Sequence, residues 1–427
     1  MSAYSNESLA QMVQADRVHR GIYVDPQIFE IEMQKIFGKV WVYVGHDSLV
    51  PNIGDYYCTT LARQPVVMSR HEDGKVYVLF NRCGHRGAQV LASERGNARH
   101  FTCMYHGWAF RPNGDLAGVP MRADFPPESL QGPEVGMVRV PRVASYRGFV
   151  FASLDPNVMP LEEFLGEAKR GIDELVDRSP EGEIEFWAGC HRYYFRGNWK
   201  LQMDNMADTY HPAACHASTV GPDGRQFQRR AGEEGGAALF FAPNGEAIVS
   251  QLGVRGFRHG HSSEQSLFDK EQKGGQWDEY RALMVQKYGE ERTADILKNR
   301  RHSLTLFPTL DILIAQTSVR VVKPIAVDLT EVEIWPVRLK GAPEVISTDL
   351  IKYVNITHSA SSFIQTDDLE AFERCQRGMQ TQGSDYVLVA RGVGAEIDEG
   401  DGVLFGPRSS EVGQRAKHFA WRDLMSV

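Results

Sequence analysis

The sequence predicts an α+β protein in which a small antiparallel β domain is inserted near the start of a larger mixed domain. An amphipathic helical pattern at residues 25–37 gives way abruptly to short β-rich segments separated by turn residues. Further along the chain, helical and strand patterns alternate. We therefore expect 1–39 to be the helical start of the larger domain, 40–155 to be the β domain, and 156–427 to be the remainder of the larger domain.

Composition and charge argue against several functional classes. The 427 residues are 42% hydrophobic and 24% charged, which is typical of a globular protein. The formal net charge is -8, whereas a nucleic-acid-binding surface needs an excess of Lys and Arg, so no nucleic-acid partner is expected. No apolar run of about 18 residues occurs, so no membrane span is expected. Without a recognisable secretory signal, and with six sparse cysteines, the chain is expected to be cytoplasmic, with cysteines that are free thiols or metal ligands.

The secondary-structure pattern follows the two domains. Runs of β-branched and aromatic residues bounded by Gly, Pro, Asn and Asp predict strands of the β domain at 40–44, 55–61, 65–68, 76–79 and 149–154. In the larger domain the patterns predict helices at 161–176, 278–287, 366–379 and 411–425. They also predict strands at 191–195, 237–241, 312–322 and 329–337, and Gly-rich loops at 221–236 and 256–275.

Two Cys-His pairs lie on two loops of the β domain. Cys83 and His85 form one pair, Cys103 and His106 form the other, and seventeen residues separate the two pairs. A glycine follows each pair closely and permits the tight turn that brings the loops to one point. Two thiolates and two imidazoles suit either a tetrahedral structural zinc or a [2Fe–2S] cluster in which two His hold one iron. Each loop offers one ligand of each type, which favours the cluster.

The loop sequences CGHRG and CMYHGW closely resemble those of Rieske proteins. The resemblance implies a Rieske-type antiparallel β domain whose [2Fe–2S] cofactor is bound by Cys83, His85, Cys103 and His106.

A second constellation lies in the stretch 198–216. It is expected to open as a helix, with Asp208 and His211 three residues apart and so on one helical face. Pro212 disfavours helix at His211 and beyond, so His216 is expected to reach the same site from a bend. Two imidazoles and one carboxylate on one face of Fe(II) leave positions open for O2, as in non-haem oxygenases.

Together, the Rieske loops and the motif NWKLQ…DxxH resemble the large (α) subunits of Rieske non-haem iron aromatic-ring-hydroxylating oxygenases. The resemblance implies that the catalytic domain has the helix-grip (START/Bet v1-like) fold. It implies that His211, His216 and Asp368 hold mononuclear Fe(II), with Asp367 as the alternative third ligand. It also implies that Asp208 bridges His211 to His106 of the next subunit, which makes a trimer part of the mechanism.

The expected activity and partners follow from the same resemblance. It implies hydroxylation of an aromatic ring with O2, giving a cis-dihydrodiol, with electrons from NADH. No complete G-x-G-x-x-G follows a strand, so a separate reductase or ferredoxin is expected to deliver them. Either a small β subunit (α3β3) or an α3 trimer is expected. Asp204, Asn205 and Arg320 are the candidate substrate-binding residues and favour a substituted or acidic aromatic of the benzoate, salicylate or phthalate type.

Two other interpretations remain open at this point. One is a monooxygenase or demethylase on the same scaffold, working without a β subunit. The other belongs to a different class and is a zinc-stabilised binding module with no redox role.

Overall fold

The structure is a computed structural model that describes residues 4–187, 189–217, 253–265, 274–297, 301–314 and 316–427. The strand expected at 237–241, the loop at 221–236 and part of the loop at 256–275 lie outside the described residues. The chain divides into two compact units, Phe37–Leu161 and a second unit made of Met1–Ile36 with Glu162–Val427. The predicted insertion therefore exists, although its ends differ from the expected bounds of 40–155.

The inserted unit extends beyond its strands because side chains tie its two ends to it. The indole N–H of Trp41 donates to the backbone oxygen of Met159 at 2.7 Å, and Lys39 pairs with Asp155 at 3.2 Å. In each contact one partner, Lys39 or Met159, lies outside the predicted strands, which is why the strand pattern alone placed both ends too far inward.

The inserted unit is built from antiparallel strands in three small sheets. Their orders are β10-β11-β2, β5-β4-β3-β6 and β7-β8-β9. The strands are β2 Val42–His46, β3 Asp55–Leu61, β4 Gln64–Arg70, β5 Val76–Phe80, β6 Arg95–Asn97, β7 Phe101–Thr102, β8 Ala109–Phe110, β9 Leu116–Gly118, β10 Arg142–Tyr146 and β11 Phe149–Ser153.

The second unit carries the helices. The amphipathic helix predicted at 25–37 is present as Pro26–Lys35; Asp25 caps it by accepting the backbone N–H of Gln27 at 2.7 Å, and Pro26 occupies its first turn. The helices are α1 Asn6–Ala10, α2 Gly21–Val24, α3 Pro26–Lys35, α4 Leu161–Leu165, α5 Lys169–Val176, α6 Trp199–Asn205, α7 Pro212–Cys215, α8 Gln276–Tyr288, α9 Glu290–Leu297, α10 Glu344–Thr357, α11 Gln365–Met379 and α12 Val412–Met425. Among the described residues, none of these helices has both the length and the hydropathy needed to cross a bilayer.

Within the described residues, the second unit contains an antiparallel sheet of nine strands. Their order is β13-β19-β18-β17-β16-β15-β14-β23-β22, and two separate pairs, β1-β21 and β12-β20, lie outside this sheet. The strands are β1 Arg17–His19, β12 Ile184–Glu185, β13 His191–Phe195, β14 Gly253–Gly256, β15 Ser262–Gln265, β16 Arg301–Leu306, β17 Leu310–Leu313, β18 Ser318–Ala326, β19 Leu329–Pro336, β20 Arg338–Leu339, β21 Tyr386–Leu388, β22 Ile397–Gly400 and β23 Val403–Pro407.

Three sequence expectations for this unit are corrected. The helix expected at 161–176 is interrupted around Gly166, which has a positive φ of 48° and separates α4 from α5. The strand expected at 312–322 is a hairpin, because β17 and β18 pair antiparallel with Asp311 opposite Arg320. The loop expected at 256–275 contains strand β15. The turn of this hairpin contains Gln316 and Thr317 but no Gly, Pro, Asn or Asp, which accounts for the second error.

A buried ion pair joins helices from distant parts of the chain. Glu32 on α3 is 0% exposed and accepts Lys200 Nζ from α6 at 2.6 Å. The same carboxylate accepts the indole N–H of Trp199 at 2.9 Å and that of Trp421 on α12 at 2.6 Å. Because both charges have partners, the burial of this pair is compatible with a stable core.

Candidate metal centres

The two Cys-His loops of the inserted unit have the same local structure. The first loop follows β5, and the second connects β7 to β8. Gly87 and Gly107 close the loops with φ values of 75° and 71°, in the left-handed region that glycine adopts without strain. The matching backbone hydrogen bonds are Cys83 N to Ala88 O at 2.8 Å, Gly87 N to Cys83 O at 3.0 Å, Cys103 N to Trp108 O at 2.8 Å and Gly107 N to Cys103 O at 3.0 Å.

The two loops bring their four polar side chains to one end of the unit. Cys83 and Cys103 are each 2% exposed and belong to its hydrophobic core. The rings of His85 and His106 lie outside the thiols, with their centroids 4.6 Å apart. His85 also stacks on Trp108, with an interplanar angle of 4°. The predicted convergence of the two loops is therefore present.

The donor set fits a [2Fe–2S] cluster better than a single ion. Burial raises the pKa of the Cys83 thiol, and the neighbouring Cys103 raises it further, so a bound cation would favour the thiolate form of Cys83. Nδ1 of His85 is buried and has no hydrogen-bond partner among the described residues. The four donors do not form a group compact enough for one ion, since the group found in the described residues with ligand atoms within 4.8 Å of one another lies elsewhere.

The second site begins where α6 ends. Asn198 caps this helix by accepting the backbone N–H of Lys200 at 3.1 Å, and the helix ends at Asn205. Asp208 and His211 therefore do not lie on one helical face, contrary to the sequence expectation. Instead Asp208 Oδ1 accepts the backbone N–H groups of Tyr210 and His211, at 2.7 and 3.3 Å. This turn places Oδ2 of Asp208 3.6 Å from Nδ1 of His211.

Pro212 starts a short helix, contrary to the expectation that it disfavours helix. It occupies the first position of α7, where its missing N–H has no intrahelical partner to lose. His211 stands just before this helix and His216 just after it. One turn of helix therefore separates the two imidazoles, and their ring centroids are 5.2 Å apart.

His211, His216 and Asp368 form a compact group of possible metal ligands. Oδ1 of Asp368, in the first turn of α11, lies 3.6 Å from Nε2 of His211 and 3.3 Å from Nε2 of His216. His216 and Asp368 are buried, at 3% and 4% exposure. The amide of Asn205 donates to Asp368 Oδ1 at 3.0 Å and lies 3.1 Å from His211 Nε2. Two imidazoles and one carboxylate at these distances suit a divalent iron with open positions.

Asp368 faces Nε2 of both imidazoles, and a different carboxylate faces Nδ1 of each one. Asp208 faces Nδ1 of His211, and Asp367 accepts Nδ1–H of His216 at 3.3 Å. Burial alone would lower the pKa of His216, but Asp368 and Asp367 outweigh it, so the pKa lies above its usual value. Burial raises the pKa of Asp208, and its contacts with His211 and Tyr210 lower it by more. Such partners fix the ring orientation and tautomer of a ligating histidine.

The three candidate substrate-binding residues have different surroundings. Asn205 contacts the metal-ligand group directly. Asp204 is already engaged within the protein, because it forms an ion pair with buried Lys417 and accepts the hydroxyl of Tyr23 at 2.8 Å. Arg320 is 2% exposed, and its Nη2 donates to Gln365 on α11 at 2.8 Å.

Two buried acids of this region were missed from the sequence. Glu264 on β15 is 8% exposed and accepts the Ser303 hydroxyl at 3.2 Å. Asp311 on β17 is 0% exposed. A single acid within the apolar run LDILI was the available signal for Asp311, because a carboxylate seldom occupies a buried strand without a function or a partner.

Comparisons with known proteins cover both units. The model of the Rieske [2Fe-2S] domain matches residues 40–144, and the model of the ring hydroxylating alpha subunit (catalytic domain) matches residues 184–426. Toluate 1,2-dioxygenase subunit alpha of Pseudomonas putida is 33% identical over 420 residues, covering 96% of this chain and 91% of the relative. The anthranilate 1,2-dioxygenase large subunit of Acinetobacter baylyi is 33% identical over 383 residues, covering 88% of this chain and 80% of the relative.

Solved structures give the same result for the fold. Naphthalene 1,2-dioxygenase with indole in the active site matches with a TM-score of 0.83 at 25% identity, covering 99% of this chain and 95% of the other. The enzyme from Rhodococcus sp. bound to indole matches with a TM-score of 0.81 at 26% identity, covering 99% and 98%. A quaternary ammonium Rieske monooxygenase in complex with L-carnitine shares the fold with a TM-score of 0.69 at 20% identity, covering 99% of each chain.

Proposed function

Because the chain belongs to the family of ring-hydroxylating oxygenase α subunits with a Rieske [2Fe–2S] domain, we propose that it cis-dihydroxylates a substituted or acidic aromatic ring. Membership establishes the coarser statement, an aromatic-ring-hydroxylating dioxygenase of the terminal oxygenase type with a [2Fe–2S] cluster and a mononuclear iron. The proposal adds the type of substrate, the stereochemistry of the product and the residues involved.

The observation that carries the proposal is the compact group formed by His211, His216 and Asp368. We assign iron binding to Nε2 of each histidine and to Asp368, and cluster binding to Cys83, His85, Cys103 and His106. When bound, the mononuclear iron supplies oxygen activation, and the cluster supplies electrons one at a time. The role of the chain is to position these groups and the substrate.

Two carboxylates face Nδ1 of the proposed histidine ligands, on the opposite side of each ring from Nε2. Asp367 accepts Nδ1–H of His216, and the carboxylate of Asp208, 3.6 Å from Nδ1 of His211, favours the proton on that nitrogen electrostatically, so that Nε2 of each ring keeps its lone pair for the metal. Asn205 donates to Asp368 Oδ1 and thereby fixes the direction of the carboxylate. These contacts reduce the reorganisation needed when iron binds.

We further propose that Asp208 couples two subunits of a trimer. Its side chain is 29% exposed and is therefore accessible for a contact with His106 of the next subunit. A carboxylate between two metal-bound imidazoles fixes both rings and connects the two centres. A small β subunit (α3β3), a separate NADH-dependent reductase or ferredoxin and a cytoplasmic location complete the proposal.

Three relatives support an aromatic acid as substrate. Their names describe dioxygenases of toluate, 2-halobenzoate and anthranilate, each 32% or 33% identical to this chain. All three names denote substituted benzoates. A naphthalene dioxygenase is also similar, at 31% identity over 414 residues, so neutral arenes belong in any substrate screen.

The first test is the composition and spectrum of the purified protein. The proposal predicts about three irons and two acid-labile sulfides per chain, together with the EPR signal of a reduced Rieske cluster. A colourless protein with zinc and no sulfide would instead indicate a zinc-stabilised binding module.

The second test follows the oxygen atoms. With a reductase and labelled O2, aromatic acids should give cis-dihydrodiols that contain both atoms of one O2 molecule. Incorporation of a single atom, or loss of a methyl group as formaldehyde, would indicate a monooxygenase or a demethylase.

A further inference from the structure

The nine-stranded sheet belongs to the second unit, which we call the catalytic unit. One face of this sheet is polar, and that face is buried. Cross-strand neighbours share a face, and successive residues alternate between faces. On one face, Leu304, Ile312 and Val319 are paired across three strands, and each is 0% exposed. The other face carries the residues that we call the polar face: Glu264, Ser303, Thr305, Asp311, Ser318 and Arg320.

The polar face lies on the side of the sheet that bears the proposed iron ligands. Arg320 Nη1 contacts Met206 Sδ at 2.8 Å, just beyond the end of α6, and Nη2 donates to Gln365 at 2.8 Å. Gln365 and Asp368 are three residues apart on α11, so they share one side of that helix. The apolar face points the other way, since Leu304 lies close to Gly171 of α5.

Four members of the polar face have buried polar atoms without a hydrogen-bond partner among the described residues, and two of them, Asp311 and Arg320, have ionisable side chains. Asp311 is 0% exposed, and neither of its oxygens accepts a hydrogen bond of normal geometry from the described residues. Nε of Arg320, its neighbour across the strand pair, is equally buried and donates to none of them. Burial raises the pKa of Asp311 to about 7, and Arg320, Thr305 and Lys417 offset this only in part.

Buried polar atoms of this kind call for an external partner. Leaving a buried donor or acceptor unsatisfied has a free-energy cost, which is larger for a charged group. Asp311 supplies an acceptor and Arg320 supplies a donor, and they lie side by side on adjacent strands. A ligand that satisfies both must therefore carry an anionic acceptor and a hydrogen-bond donor close together.

We propose that Asp311 and Arg320 form a specificity pair that selects an aromatic acid bearing an adjacent amino or hydroxyl group. Nε of Arg320 donates to the carboxylate of the substrate, and Asp311 accepts the N–H or O–H of the neighbouring substituent. The pair thereby holds the ring beside the group formed by His211, His216 and Asp368. This inference rests on the proposed function and narrows its substrate class.

The test measures ligand binding to the iron-loaded protein by equilibrium dialysis at neutral pH, without turnover. The four probes are 2-aminobenzoate, benzoate, aniline and naphthalene. The specificity pair predicts that 2-aminobenzoate binds at least about tenfold more tightly than each of the other three. This ranking needs no variant, so it tests the pair even if substitutions impair folding.

Variants then assign the two contacts. Asp311→Leu should abolish the advantage of 2-aminobenzoate over benzoate and leave the affinity for benzoate unchanged. Arg320→Met should weaken the binding of both acids and leave that of aniline unchanged. Asp328→Leu, at an exposed position between β18 and β19, is the matched control and should change none of these affinities. Iron content and melting temperature show whether each variant is folded.

The outcomes separate this inference from the proposed function. Equal affinities for the four probes, with dihydroxylation of a substituted or acidic aromatic retained, would overturn the specificity pair and leave the proposed function intact; ordered water would then satisfy Asp311 and Arg320. An enzyme loaded with iron and cluster that oxidises no aromatic compound would overturn both.

Discussion

Oδ2 of Asp367 lies 3.3 Å from Nδ1 of His216, while the other nitrogen of the same ring faces Asp368 at 3.3 Å. Two acids that are adjacent in the chain therefore act on opposite sides of one imidazole. The sequence doublet left open which acid is the metal ligand, and this geometry assigns the inner position to Asp368. The same geometry places the carboxylate of Asp367 where it can fix the orientation of the His216 ring.

The first prediction separates the two acids of the doublet. Asp368→Ala should remove the mononuclear iron, because it deletes one of three ligands. Asp367→Asn should keep the iron but weaken its binding about 10–100-fold, since it removes the carboxylate that orients His216. Iron content and titration of the apoprotein with Co(II) measure both effects. Equal iron loss in the two variants would contradict the separate roles.

The second prediction concerns Asp208. Asp208→Asn should retain the cluster spectrum and the mononuclear iron but lose at least about tenfold in product formation, because the amide cannot anchor Nδ1–H of His211 as an anion does. EPR and single-turnover assays measure this. Asp423→Asn replaces an acid that is 66% exposed and serves as the control. Normal turnover in Asp208→Asn would rule out the coupling role.

The third prediction concerns the buried pair of Glu32 and Lys200. Lys200→Met should destabilise the catalytic unit by about 3–5 kcal/mol, because it leaves a buried carboxylate without its cation. Arg374→Met breaks an exposed pair with Glu370 and should cost less than about 1 kcal/mol. Denaturant unfolding measures both changes. Similar losses in the two variants would show that the buried charge is compensated elsewhere.

The fourth prediction is a pH dependence set by Glu264. Burial raises its pKa to about 8, and Asp208 and Asp311 add to the effect. The folded state keeps a proton that the unfolded chain releases at lower pH, so the carboxyl costs stability as the pH rises toward 8. Glu264→Gln should therefore gain stability over the unmodified protein, by up to about 1.4 kcal/mol per pH unit between the unfolded and folded pKa values.

Melting curves across that pH range measure the difference between the two proteins. Glu163→Gln, at an exposed position, should give a curve parallel to that of the unmodified protein. A constant difference between Glu264→Gln and the unmodified protein would mean that Glu264 is ionised throughout.

The features that the sequence predicted well depend on short-range patterns. The helix that begins after Asp25 and the two Cys-His loops depend on residues that are close in the chain, such as the cap at Asp25 and Gly87 with its positive φ. Resemblance to a known family supplied what spacing alone left open, including Asp368 as the third member of the group around His211 and His216.

The features that the sequence missed have distant and local causes. Asp204 looked available for substrate, but Lys417, 213 residues away, takes its carboxylate. The hairpin of β17 and β18 turns at Gln316 and Thr317, without the Gly, Pro, Asn or Asp that usually marks a turn in the sequence. The end of α6 at Asn205 was missed for a local reason, because the side chain of Asp208 accepts the backbone N–H of Tyr210 and stabilises a turn in place of the expected helix.

The insertion also determines the order in which the two units can fold during synthesis on the ribosome. Glu32 emerges early, but Trp421, one of its partners, follows 389 residues later. At roughly 5–20 residues per second, that interval is about 20–80 s. The inserted unit is contiguous in the chain and can fold during this delay. The second unit consists of two chain segments and cannot complete its fold before its last helix is synthesised. Nascent chains stalled before α12 should therefore resist protease only within the inserted unit.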